Sequence, residues 1–160
     1  MGAAGQIPGL VVWAVVLAPI ACAADFAVLR EVKSPPVVPP ALLSREVRRI
    51  HAVVFNFRLF EPPAARHFQN KSHEIVMNMF PDVRISVRWS ISNTQGATVA
   101  TWTGTVDAAP QGHAVLVCSQ NSVSGNITRG DNLLYRIHTG DDGIVWIREI
   151  DQSKFPPEAR

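Results

Sequence analysis

The stretch His113–Ile150, HAVLVCSQNSVSGNITRGDNLLYRIHTGDDGIVWIREI, decides the fold. It divides into short β-rich runs: HAVLVCS, SVSGNITR, NLLYRIHT and GIVWIREI. Gln120-Asn121, Gly130-Asp131 and the GDDG that begins at Gly140 connect them. Polar or glycine-containing links of about two to four residues between such runs are the short-range signature of antiparallel hairpins. Gly, Asn and Asp tolerate the backbone angles that tight turns demand.

The pattern extends upstream. In RISVRWSI, Ile85, Val87, Trp89 and Ile91 alternate with Arg84, Ser86, Arg88 and Ser90, and NTQG follows as a turn. Over Ala97–Val106, Ala100, Trp102 and Gly104 oppose Val99, Thr101, Thr103 and Thr105. From Arg45, REVRRIHAVVFNFRLF sets Val47, Arg49, His51, Val53, Phe55 and Phe57 on one face. HEIVMNMF (His73–Phe80) is a further apolar strand, separated from the last by the proline-broken EPPAARHFQNKS. A period of two suits half-buried strands. No stretch beyond residue 24 carries a long helical stripe. The expected fold is all-β: an antiparallel meander forming a sandwich or half-open barrel, without internal repeats.

At 160 residues the chain suffices for one modest domain, and 47% hydrophobic against 18% charged residues favours a packed core over disorder. The net charge of +2 is spread along the chain, which argues against a nucleic-acid surface. Gly9–Ala23, GLVVWAVVLAPIACA, reads as a signal-peptide core with cleavage after Ala23 or Ala24, although no Lys or Arg precedes it. A membrane anchor is the alternative. Lipidation at Cys22 is disfavoured, because Pro19 stands where leucine is usual. The expected location is secreted or periplasmic, with the membrane met only through the signal. Cys118 would then be the lone thiol of the mature chain. The expected organisation is signal peptide 1–24, proline-rich linker 25–44, β-domain 45–152 and exit segment 153–160.

Chemistry-bearing motifs are few. His73-Glu74 begins like a zinc-protease helix motif, but Met77 occupies the place of the second histidine. The five histidines lie at no recognised metal spacing, and no nucleophile elbow, phosphate loop or Cys-x-x-Cys is present. No cofactor and no enzymatic activity are expected. Asp141-Asp142-Gly143 is explained as a turn. Cys118 admits two readings: a thiolate that ligates and blocks a zinc ion, or a small core hydrophobe. Trp89, Trp102 and Trp146 admit a carbohydrate-stacking face or internal packing. Asn70-Lys71-Ser72 and Asn126-Ile127-Thr128 match the N-glycosylation pattern.

The order of several segments resembles a known family. These are EVRRIHAVVFNFRLF, IVMNMFPDVRISV, TWTGTVDAAPQGHAVLVCSQNSVSGNIT and YRIHTGDDGIVWIREIDQSKFPPE. Together, over roughly Arg45–Glu158, they resemble the N-terminal propeptide region of bacterial secreted peptidyl-Asp metalloendopeptidases, the flavastacin-like zinc peptidases. In that family a signal peptide and a β-rich prodomain precede a metzincin-type catalytic domain. The resemblance implies a prodomain-like chain that aids folding of a zinc metalloprotease catalytic domain, its cognate partner, or inhibits it. It supplies no catalytic residues, since no extended zinc-binding helix occurs in these residues. Ile147–Arg160 then reads as a last strand and an exit toward the protease, with Asp151, Phe155, Pro156 and Pro157 as processing or cleft-facing candidates. The alternatives are a free-standing secreted module for peptide or glycan, using the tryptophans, and a truncated non-catalytic remnant.

Overall fold

A computed structural model describes residues 28–34, 36–60, 72–96, 98–107, 109 and 111–156. The expected signal peptide and Pro157 lie outside them. The strands are β1 (Leu29–Glu31), β2 (Val47–Phe55), β3 (His73–Phe80), β4 (Val83–Gln95), β5 (Val99–Val106), β6 (His113–Ser119), β7 (Val123–Thr128), β8 (Leu133–Thr139) and β9 (Val145–Asp151). All pair antiparallel in a single nine-stranded sheet of order β1-β2-β9-β8-β7-β6-β5-β4-β3. The sheet curls until β3 lies against β1 and β2, so the half-open barrel is the form adopted. No helix among the described residues is long and apolar enough to cross a membrane.

The period-two pattern puts one face of every strand inside. Met77, Met79, Val87, Trp89, Ala100, Trp102, Leu116, Ile127, Ile137 and Ile147 are all buried there. The hairpins run as the turn chemistry dictates. Gly130 and Asn132, in the β7–β8 turn, take φ of 80° and 62°, left-handed values that Gly and Asn accept most easily. Strand β4 continues to Gln95, through most of the expected NTQG turn, and Gly96 makes the bend with φ 63°.

Two features depart from a plain meander. The segment between β2 and β3 is too long for a hairpin, and β2 pairs with β9, the last strand. The stretch read as a linker also carries structure. Strand β1 pairs with β2, burying Leu29, and Pro40–Leu42 form a 3₁₀ turn on prolines that already hold the required φ. That turn stands beside the β8–β9 hairpin; Pro39, Ala41, Leu42 and Trp146 help line a cleft of about 370 Å³ between them.

Candidate functional site

The barrel is incomplete where β3 meets β1 and β2, and side chains close this seam. His51, on the inner face of β2, donates from Nδ1 to the Met79 carbonyl at 3.0 Å. Its ring stacks on Phe80 at 5.6 Å. Arg49, two residues earlier, binds Asp82 at 2.7 and 2.8 Å and Glu149 at 3.3 and 2.6 Å. Its guanidinium also lies 4.3 Å from the centre of the Phe80 ring. One planar cation thus joins β2, β9 and the β3–β4 turn. Hydrogen bonding to Glu149 holds the Arg49 guanidinium above its ordinary range, and Arg49 holds the Asp82 carboxyl below its own. Arg48 adds a 3.6 Å contact to Glu149. Tyr135 stands opposite Glu149 in the ladder, and burial, chiefly, pushes its phenol up.

Above this network the seam opens into a cleft of about 430 Å³. Leu29, Val53 and Phe80 supply apolar lining; Arg30, Glu31, His51, Asn78 and Arg84 supply charge and hydrogen-bonding groups. The two edges of the sheet, β1 and β3, flank it. A cleft with an apolar lining, a rim of both charges and strand edges beside it suits an extended peptide segment. Among the described residues no three His, Cys, Asp or Glu side chains group to hold a metal ion.

The site residues expected from the sequence lie elsewhere. Cys118 is 0% exposed within the barrel, and burial pushes its thiol up to about 12. It therefore takes the core reading, with no path to a zinc ion outside. Trp89, Trp102 and Trp146 are at most 1% exposed, so they form no stacking face. Trp89 and Trp102 meet Phe60 edge-on at 5.8 and 5.2 Å, and Trp102 donates to the Phe60 carbonyl at 3.0 Å. Trp146 points to the outer face, beside the Pro40–Leu42 turn. Asp151 ends β9 and accepts from Ser153 N at 3.1 Å, which caps the short 3₁₀ turn Gln152–Lys154. Phe155 and Pro156 are exposed beyond it.

The seam residues were missed in the sequence. Their signal was there: Arg49 and His51 interrupt the apolar face of a strand, and Glu149 falls among Val145, Trp146, Ile147 and Ile150. A charge on a buried face calls for an opposite charge on another element.

Compared with known proteins, the chain matches no protein-family model and no curated protein. Among solved structures it is similar to a chain from a structure described as a chaperone–substrate complex. The TM-score is 0.51 at 14% identity, over 84% of this chain and 98% of that one. At that identity the likeness concerns the fold.

Proposed function

We propose that this chain is a non-catalytic, secreted protein-binding barrel that acts as a prodomain-like partner of a zinc metalloendopeptidase, docking an extended segment of the protease at the β1–β3 seam. The observation that carries the reading is the seam itself, where two sheet edges face a mixed apolar and charged cleft of about 430 Å³. The ordered motifs from Arg45 to Glu158 support the choice of partner. A chain of similar fold, described as part of a chaperone–substrate complex, is consistent with a barrel that engages other proteins. Exposed Phe155 and Pro156, leading away from β9, suit an exit toward a following or docked domain. Inhibition through the Cys118 thiol is set aside, because the thiol is buried. The glycan-binding alternative loses its platform with the burial of the tryptophans, whereas a peptide module would use the same seam.

The test is a titration of residues 25–160 against a peptidyl-Asp metalloendopeptidase catalytic domain. Inhibition should persist in Cys118→Ala and weaken at least tenfold in the rim variant Arg30→Glu/Arg84→Glu. A barrel that neither binds nor inhibits the protease removes the proposed partner. Equal inhibition by the rim variant moves the contact off the seam.

A further inference from the structure

Arg136 on β8 and Arg148 on β9 stand directly opposite each other in the ladder. Their side chains lie on the outer face, opposite in parity to Tyr135, Ile137 and Ile147. Like charges placed this way repel. Among the described residues neither arginine has an acidic partner, although Arg45, Arg48, Arg49, Arg88 and Arg129 all do. Arg136 donates to the Asn126 side chain at a long 3.3 Å. Arg148 Nε is buried with no hydrogen-bond partner, and so is Nδ1 of His138, two residues from Arg136 on the same face. Such orphaned groups cost stability unless something else satisfies them. The carboxylate acting on His138, that of Asp142, accepts from the Ile144 N–H at 3.0 Å.

We infer that Arg136, Arg148 and His138 form an anion site on the outer face of β8 and β9, for a dianionic tetrahedral oxyanion: phosphate or sulfate, free or as an ester. Two guanidinium groups offer fork geometry to such oxygens and match two negative charges. Burial holds the His138 imidazole below its ordinary value, so it enters as a neutral hydrogen-bonding group. Asn126, opposite Arg136, and Ser124, opposite His138, lie beside the cluster on β7.

The experiment uses the full 160-residue chain. Sodium phosphate, sodium sulfate, sodium acetate and a sulfated disaccharide are titrated at ionic strength fixed with sodium chloride, read by calorimetry and by melting temperature. Saturable binding of phosphate and sulfate is expected, at least tenfold tighter than acetate. Arg148→Gln should weaken it at least tenfold, and Arg148→Lys should retain part of it. Arg136→Gln should melt higher than the parent without added anion, since it relieves the repulsion, and should lose the anion-dependent rise. A disaccharide that binds at least tenfold tighter than sulfate identifies an ester as the ligand; equal affinity identifies the free ion. Phosphate that acts no differently from chloride, acetate that binds as well, or undiminished binding by Arg148→Gln would each overturn the site.

Discussion

At the scale of single residues, the barrel is intolerant where backbone and side chain approach most closely. Gly125 on β7 is such a place: a Cβ there would overlap the Val115 carbonyl oxygen and sit 2.6 Å from Leu116 Cδ2. Gly125→Ala is expected to destabilise by about 2–3 kcal/mol, the upper range for overpacking, because backbone rather than a flexible side-chain end must move. Urea unfolding measures it, and an unchanged midpoint would contradict the close approach. Cys118 makes a prediction about pH. Its folded thiol titrates near 12, whereas an ordinary one titrates near 9.0. Below pH 9.0 the thiol is neutral in both states and stability is unaffected by it. As pH rises from there toward 12 the unfolded state alone gains the thiolate, so stability falls by about 1.4 kcal/mol per pH unit. Cys118→Ala should lack this loss, so the gap between the two proteins narrows as pH rises from 8 to about 11. A constant gap would mean that the thiol is hydrated.

At the scale of elements, the Arg49–Glu149 pair ties β2 to β9 through side chains, beside their backbone ladder. Glu149 is 2% exposed, so Arg49→Met leaves its carboxylate with the weaker 3.6 Å contact to Arg48, and a loss of about 3 kcal/mol, the lower end for a broken buried pair, is expected. Arg49→Met/Glu149→Leu should recover most of it, because an apolar pair leaves no charge to solvate. A double variant as unstable as the single one would locate the damage in packing instead. This pair also marks how far the sequence could be read. The alternation in Arg84–Ile91 and Ala97–Val106 placed the inner faces of β4 and β5, and the turn residues from Gln120 to Gly143 placed the hairpins of β6 to β9. Such signals are local. Which strand lies beside β2 depends on residues about a hundred positions away, and period-two patterning carries no information about partners. Strand β1 was hidden for another reason: three residues beside a proline-rich run give too short a pattern to distinguish from a spacer. The anion cluster was hidden because Arg136 and Arg148 look like ordinary outward-facing strand residues until the register sets them opposite each other.

At the scale of the whole molecule, the ring holds unevenly. Backbone ladders join β2 to β9 and the rest in order round to β3, whereas side chains alone join β3 to β2. Hydrogen exchange should be slowest in β5–β8 and fastest in β1 and along the outer edge of β3. Uniform protection around the ring would mean that the seam is as firm as a ladder. The β2–β9 pairing also has a consequence in time. As a chain is made, the hairpins from β3 to β8 can assemble in turn, each strand meeting the one before it. Strand β2 has only the three-residue β1 before it; its other edge pairs with residues 145–151, which are made after β3 to β8. Closure therefore follows the pairing of β3 to β8, and non-local pairing of this kind slows folding. A nascent chain interrupted before residue 145 holds β2 and β8 as unpaired edges, open to another copy.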